Sequence, residues 1–176
     1  MTTLQNLKLG IYEKAIPLPL AWREKMQIAK EAGFDFIELS IDGLAPRIQR
    51  LDWSDREIND IRRAVEETGI PLLTMALTAN RYFPLGDDRP QIRNKGIEIV
   101  KKGVNLAVKL GIRVIQLAAY DTFEREGTPE TDRLFREALQ ICTDYAASNG
   151  VMLSLEVMDC SYSNTAEKVL SFVQEV

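Results

Sequence analysis

Short apolar runs alternate with amphipathic stretches five times along the chain. The runs are rich in β-branched and aromatic residues and are bounded by Gly, Pro, Asn and Asp, a pattern typical of strands. The predicted strands span residues 7–12, 36–41, 71–77, 114–117 and 152–158. Because strands that alternate with helices lie side by side in one sheet, the pattern predicts an α/β fold with a parallel sheet.

The stretches between the runs carry apolar residues at helical spacing and recognisable helix ends. The predicted helices span residues 21–32, 54–68, 91–110 and 131–148, and a fifth begins at Thr165 and is still running at Val176. Ser54 and Glu57 have the spacing of a capping box at the start of the second helix. Gly33, Gly69, Gly111 and Gly150 stand where helices of this length would end.

Two architectures accommodate five strand–helix units. A five-stranded doubly wound sheet would be complete in a chain of 176 residues. An eight-unit (β/α) barrel usually needs about 250 residues, so this chain would contain about five of its units. Periodicity does not choose between them, and length alone favours the doubly wound sheet. Since no linker or low-complexity stretch interrupts the pattern, we expect a single domain over residues 1–176.

Composition narrows the possible partners. The chain is 45% hydrophobic and 27% charged, with a net charge of −4 and no basic block, so we expect no nucleic-acid binding. No run approaches the roughly 20 apolar residues of a membrane span, and residues 1–7 lack an apolar signal core, so a cytoplasmic protein without membrane contact is predicted. Cys142 and Cys160 fit no metal or redox spacing and are expected to be buried and reduced.

The ends of the predicted strands carry the candidate chemistry, because ligands bind at the carboxyl ends of the strands in either architecture. The polar candidates there include Tyr12, Glu13, Lys14, Glu38, Ser40, Asp42, Thr78, Asn80, Gln116, Tyr120, Glu156 and Asp159. No strand is followed by a glycine-rich phosphate loop, which argues against a nucleotide or flavin site. The chain contains no histidine, so an imidazole base or ligand would have to come from elsewhere.

Two carboxylates stand inside apolar strands. Glu38 and Glu156 are each flanked by apolar residues, and a carboxylate is expensive to bury there unless it meets a metal, a cation or hydrogen-bond donors. They could share one site, or each could pair with a Lys or Arg at the sheet, and the pattern leaves both open. The loop of residues 81–87 is long enough to cover such a site, although an ordinary surface loop is an equal alternative.

Several segments resemble, in order, the bacterial L-ribulose/L-xylulose-5-phosphate 3-epimerases, a family of xylose isomerase-like barrels earlier often labelled hexulose-6-phosphate isomerases. The segments are LGIYEKA at 9–15, GFDFIELS at 33–40, RLDWS at 50–54, FPLG at 83–86, GIRVIQLA at 111–118 and EVMD at 156–159. The match runs from about Leu7 to the end of the chain without large gaps. The resemblance therefore implies an incomplete (β/α)8 barrel of about five units, truncated before the last three.

The same resemblance implies a metal-dependent C3 epimerase that acts on a phosphorylated ketopentose in L-ascorbate or related pentose catabolism. In that family a divalent metal, Mn or Zn, is held at the barrel mouth by two carboxylates, an Asp and a His. Glu156 matches the fifth-strand glutamate, which is a metal ligand and one of two acid/base groups. The other members come from the sixth to eighth strands, which this chain lacks. Asn80 departs from the pattern, since a His is expected in that loop.

Three hypotheses for the function follow. The chain is an epimerase by family but inactive without the missing units, or it is a catalytically silent barrel fragment, or it is a sugar-phosphate binding module. An open parallel sheet would leave its first and fifth strands with unpaired backbone groups. We therefore expect a homo-oligomer that covers these edges.

Overall fold

Five strands form one parallel sheet in the computed structural model, which describes residues 7–175. The strands are β1 Gly10–Tyr12, β2 Phe36–Ile41, β3 Leu72–Leu77, β4 Val114–Ala118 and β5 Met152–Glu156. They lie in the order β1-β2-β3-β4-β5, and every neighbouring pair is parallel. A doubly wound sheet of five strands would have the order 2-1-3-4-5. Sequential order is that of a (β/α) barrel, which confirms the prediction of five barrel units.

Six α-helices accompany the strands in the part of the chain that the structure describes. They are α1 Trp22–Glu31, α2 Ala45–Ile48, α3 Asp55–Thr68, α4 Pro90–Leu110, α5 Pro129–Ser148 and α6 Ala166–Val173. Five of them were predicted to within a few residues, whereas α2 and the 3-10 turn after it, Gln49–Asp52, were not. The prediction that the last helix is still running at Val176 is wrong as far as the structure describes it: α6 ends at Val173, and Val176 itself lies outside the described residues.

The ends of α3 follow the predicted signals. The Ser54 backbone N–H donates to the Glu57 carboxylate over 2.8 Å, and the Glu57 N–H donates back to the Ser54 hydroxyl over 3.4 Å. These reciprocal bonds satisfy backbone donors that the first helical turn leaves free, as the capping box requires. At the other end Gly69 has φ 76°, a left-handed conformation that an L side chain rarely adopts.

Alternate strand residues divide the sheet into two faces. One face packs against the helices and forms the core, which includes Ile37, Leu39, Ile41, Met75, Leu77, Ile115 and Leu117 from the strands and Met26, Ile61, Val104 and Phe135 from the helices. The opposite face, called the inner face below, carries the polar strand residues Tyr12, Glu38, Ser40, Thr74, Gln116, Ser154 and Glu156. The fold therefore places polar side chains from all five strands on one surface.

Two remaining expectations concern membranes and thiols. Among residues 7–175, no helix has the length and apolar character needed to cross a membrane. Cys142 is buried in α5, where burial raises the pKa of its thiol to about 12. Cys160, in the loop after β5, is only partly buried, and its sulfur lies 3.3 Å from the Ser163 hydroxyl. The prediction of a buried thiol is confirmed for Cys142 and is wrong for Cys160.

Candidate active site

The end of the sheet near β1 and β2 holds a buried charge cluster, here called the buried triad: Glu13, Lys25 and Arg50. Glu13 follows β1 directly and is 0% exposed. Its carboxylate accepts hydrogen bonds from Lys25 Nζ at 2.7 Å, from both terminal nitrogens of Arg50, one of them at 2.8 Å, and from the Ser40 backbone N–H at 3.1 Å. A carboxylate with this many donors is a satisfied structural group.

The pKa of Glu13 reflects these contacts. Burial raises the pKa of the carboxyl, but the hydrogen bonds and positive charges of Arg50 and Lys25 outweigh it, and the net effect is a lowered pKa. The Arg50 guanidinium carbon also lies beside two indole rings, 5.2 Å from the centroid of Trp22 and 5.6 Å from that of Trp53. The two tryptophans therefore pack against the buried cations Lys25 and Arg50.

A second ion-paired group lies beside the buried triad. Asp42, at the end of β2, receives Lys14 Nζ at 2.8 Å and Arg47 Nη1 at 3.2 Å. Burial raises the pKa of Asp42, but the hydrogen bonds from Lys14 and the Leu44 N–H and the charges of Lys14 and Arg47 outweigh it, so the pKa is lowered overall. Arg47 and Arg50 are thus both ion-paired and buried.

Glu38 and Glu156 both lie on the inner face. The Glu38 carboxylate accepts a hydrogen bond from the Thr74 hydroxyl at 2.9 Å, and Glu156, the last residue of β5, lies opposite Ala118 in the strand register. Burial raises the pKa of Glu156, the negative charge of Glu38 raises it further, and Arg81 opposes both. No hydrogen bond within residues 7–175 contributes to this pKa. The structure thus brings the two predicted carboxylates together and leaves Glu156 uncommitted.

Arg81 approaches Glu156 from the loop after β3. Its Nη2 donates to the Tyr120 hydroxyl at 2.7 Å, and that hydroxyl donates to the Asp159 carboxylate at 3.1 Å. The guanidinium carbon lies 5.3 Å from the centroid of the Tyr120 ring and 5.1 Å from that of Phe123. Cation–π contacts with the two rings restrict the position of the guanidinium at the carboxyl ends of the strands.

Asn80 does not face the inner surface. Its side chain is fully buried, and its Nδ2 donates to the Ala118 carbonyl at 2.9 Å, so the amide ties the end of β3 to the end of β4. Its Oδ1 is buried without a hydrogen-bond partner in the described part of the chain. Asn80, which stands in the loop where the resemblance leads us to expect a His, is therefore buried and bonded to the protein backbone.

The loop after β3 is packed against the protein body. Leu85 and Asp87 are each 1% exposed. A Cβ at Gly86 would come within 2.4 Å of the Thr131 carbonyl oxygen and 2.6 Å of that of Asp121, so the loop backbone lies directly on the start of α5. Of the two expectations for residues 81–87, a movable cover is not supported by this packing.

The described residues do not form a complete metal site. No group of three or more Cys, Asp or Glu side chains among residues 7–175 is arranged to hold a metal ion, and the sequence has no histidine. Protein zinc sites use at least three side-chain ligands. The uncommitted carboxylate of Glu156 fits one ligand position and no more, so a resident metal would need ligands beyond these residues.

Sequence reasoning missed two residues of this region. Arg81 was considered only as part of a loop, and Lys25 was not considered at all. Lys25 is 2% exposed, yet its position in α1 carries no signal that separates it from solvated lysines. The available signal for Arg81 was its position as a single arginine in the short segment that follows β3.

Comparisons with known proteins agree with the fold and extend it. A family model described as xylose isomerase-like TIM barrel matches residues 26–176. The chain is 42% identical over 168 residues to the L-ribulose-5-phosphate 3-epimerase UlaE of Escherichia coli, which covers 96% of this chain and 59% of that protein. The chain thus spans about three fifths of the length of the curated relatives it matches.

Solved structures show the same fold at lower identity. A D-psicose 3-epimerase structure with D-fructose has a TM-score of 0.81 at 21% identity and covers 96% of this chain and 60% of its own. A magnesium complex of a xylose isomerase-like TIM barrel protein from Mycobacterium smegmatis has a TM-score of 0.72 at 18% identity, covering 99% of this chain and 63% of its own. Together with the family match, the sequential parallel sheet shows that this chain belongs to the xylose isomerase-like TIM barrel family.

Proposed function

We propose that this chain forms part of the active site of a sugar-phosphate 3-epimerase whose substrate is a phosphorylated ketopentose, such as L-ribulose 5-phosphate interconverted with L-xylulose 5-phosphate. One observation carries the proposal: an uncommitted carboxylate, Glu156, ends β5 in a chain 42% identical to an L-ribulose-5-phosphate 3-epimerase. The role in pentose or ascorbate catabolism, and a cytoplasmic location where phosphorylated sugars are made, belong to the same proposal.

In the proposed reaction Glu156 removes or returns the proton at C3 of the ketose. The C3–H bond breaks, its electron pair moves toward the adjacent carbonyl, and an enediolate forms. A carboxylate in an environment that raises its pKa is a stronger base for this step than an exposed one. Inversion at C3 requires a second acid/base group on the opposite face of the substrate.

Glu156 is also proposed as one ligand of a divalent metal, Mn or Zn. Such an ion would supply stabilisation of the oxyanion that develops as the C3 proton leaves. Because the described residues provide only one ligand position, we expect the 176-residue polypeptide to bind the metal weakly and to show no turnover by itself.

A second candidate is a catalytically silent barrel unit that self-associates. The supporting observation is a set of exposed apolar side chains on β5 and in the segments after it: Met152, Val157, Leu170 and Val173. The strand order leaves β5 with a neighbour on one side only among the described residues. Covering these groups would drive formation of the homo-oligomer. A sugar-phosphate binding module remains the third candidate.

The decisive experiment follows C3 proton exchange of L-ribulose 5-phosphate in deuterated water with added Mn or Zn. The purified chain is tested alone and together with the C-terminal portion of the E. coli relative that this chain does not cover. We expect exchange only in the mixture and expect Glu156→Gln to abolish it. Glu66→Gln, at an exposed position of α3, is the matched control and should exchange at the wild-type rate.

Two outcomes would contradict the proposal. Exchange in the mixture that persists in Glu156→Gln would remove Glu156 from the reaction. A mixture that assembles, as shown by sedimentation, but never exchanges would favour the silent barrel unit. Exchange by the chain alone that depends on Glu156 would instead mean that copies of the chain supply the missing groups to one another.

A further inference from the structure

Arg81 has hydrogen-bonding capacity that the protein does not use. A guanidinium carries five N–H donors. Within the described part of the chain its only hydrogen bond is the one from Nη2 to the Tyr120 hydroxyl, and its Nε is buried without a partner. The side chain is 39% exposed at the carboxyl ends of the strands. The remaining donors on Nη1 and Nη2 are therefore available to a ligand.

The nearest counter-ion of Arg81 is held loosely. Asp159 lies 3.9 Å from Arg81 Nη2, at the outer limit of an ion pair, and its side chain is 83% exposed. The other cations at this edge are more firmly engaged, since Lys14 lies 2.8 Å from Asp42 and Arg47 is buried against the same carboxylate. An incoming anion would therefore break fewer existing contacts by binding Arg81 than by binding Lys14 or Arg47.

We propose that Arg81 is an anion subsite that binds the phosphate group of a phosphorylated ketose, with Asp159 as a displaceable counter-ion. This inference rests on the proposed function and deepens it, because it would explain a preference for phosphorylated over free ketoses. A planar guanidinium matches two phosphate oxygens at once, and cation–π contacts with Tyr120 and Phe123 restrict its position before the ligand arrives.

The position relative to Glu156 supports the assignment. The Tyr120 hydroxyl, which accepts a hydrogen bond from Arg81, donates one to Asp159 in the segment that directly follows Glu156 and β5. Arg81 therefore lies at the same end of the sheet as Glu156. A phosphate on Arg81 would hold the attached ketose at the carboxyl end of β5, where the proposed base stands.

The test measures binding to the purified chain by titration calorimetry without added metal. The probes are inorganic phosphate, L-ribulose 5-phosphate and L-ribulose. Because the frequent phosphate site of (β/α)8 barrels lies after strands 7 and 8, this five-stranded chain isolates the proposed subsite. We expect phosphate and L-ribulose 5-phosphate to bind, and L-ribulose to bind about ten-fold more weakly than its phosphate ester.

Two variants should move the affinity in opposite directions. Arg81→Gln should weaken the binding of both phosphorylated probes about ten-fold and leave L-ribulose unchanged. Asp159→Asn should strengthen phosphate binding roughly two-fold to five-fold, because it removes the internal competitor. A purely structural role for Arg81 would not produce a gain on removing Asp159.

The matched controls are Arg56→Gln, at an exposed position of α3, and Lys14→Gln, at the same sheet edge. Both should bind phosphate like the wild type, and circular dichroism checks that every variant is folded. Unchanged binding in Arg81→Gln, weaker binding in Asp159→Asn, or loss of binding in Lys14→Gln would each overturn the assignment. Absence of phosphate binding to the folded wild type would do the same.

Failure of this inference is distinguishable from failure of the proposed function. If phosphate binding depends on Arg81 but the assembled mixture shows no C3 exchange, the phosphate subsite is supported and the epimerase activity is contradicted. If C3 exchange depends on Glu156 but Arg81→Gln leaves phosphate binding unchanged, the epimerase activity is supported and the phosphate subsite is contradicted.

Discussion

Two glutamates at the carboxyl ends of the two outer strands have opposite environments. Glu13 follows β1, is fully buried and accepts hydrogen bonds from Lys25, Arg50 and the Ser40 backbone. Glu156 ends β5 and is partly exposed, and the negative charge of a second carboxylate, Glu38, acts on it. The pKa of Glu13 is lowered because its cations outweigh burial, whereas the pKa of Glu156 is raised by burial and by Glu38.

The difference separates a structural charge from a candidate functional one. A buried charge is tolerated when donors and counter-charges surround it, and the fold then depends on it. A carboxylate near another carboxylate does not stabilise the fold. Groups whose pKa is perturbed in this way concentrate at functional sites. We therefore expect the same substitution, Glu→Gln, to change the free energy of unfolding by different amounts at the two positions.

The largest effect is expected for Glu13→Gln. The substitution leaves Lys25 and Arg50 buried without their counter-charge, so the free energy of unfolding should fall by about 3–5 kcal/mol. Urea unfolding followed by circular dichroism measures the change. Glu66→Gln, at an exposed position of α3, serves as the control. A loss below about 1 kcal/mol would show that the buried triad does not depend on its carboxylate.

A smaller loss is expected for Lys25→Met. Glu13 then keeps both terminal nitrogens of Arg50 and the Ser40 N–H, and the apolar side chain of Met can still pack against Trp22. The lost charged hydrogen bond is offset in part because no ammonium has to be buried, so we expect a decrease of about 1–2 kcal/mol. A loss as large as that of Glu13→Gln would mean that Lys25, and not Glu13, is the centre of the triad.

Much of the fold could be predicted from local pattern. β2 has the predicted bounds, Phe36–Ile41, because its apolar residues alternate with inner-face residues at the period of a strand. The helix α2 was missed because four residues that include a proline show no helical period. Strand order was not predictable from periodicity, since it depends on which distant segments pair. The choice of a barrel came from the resemblance, and the parallel sequential sheet confirms it.

The candidate site was predictable only where a polar residue interrupts an apolar strand. Glu38 and Glu156 were found in this way, and both lie on the inner face. Arg81 and Lys25 gain their importance from partners far along the chain: Tyr120 is 39 residues from Arg81, and Glu13 lies on a different element from Lys25. Loop and helix patterns do not encode such pairings, so these residues needed the structure.

Glu156→Gln should have little effect on stability. Removing the charge ends its unfavourable interaction with Glu38 and breaks no hydrogen bond within the described residues. We expect the free energy of unfolding at neutral pH to change by less than about 0.5 kcal/mol, in either direction. The same urea titration used for Glu13→Gln gives the value. A loss above about 2 kcal/mol would make Glu156 a structural residue and weaken its proposed role in catalysis.

The smallest expected effect is on how the free energy of unfolding depends on pH. The two glutamates should contribute to this dependence with opposite signs. The lowered pKa of folded Glu13 gives stability that is present above the unfolded value, near 4.5, and is lost as pH falls through the folded pKa. The raised pKa of folded Glu156 gives stability that is present below 4.5 and is lost as pH rises through the folded pKa. The wild-type advantage over Glu13→Gln should therefore shrink on acidification, whereas the stability of the wild type relative to Glu156→Gln should increase. The measurement is urea unfolding of the wild type, Glu13→Gln and Glu156→Gln at several pH values between about pH 3 and about pH 7. Both variants are compared with the same wild type at each pH. Changes in the same direction would mean that the two carboxyls do not differ as their surroundings indicate.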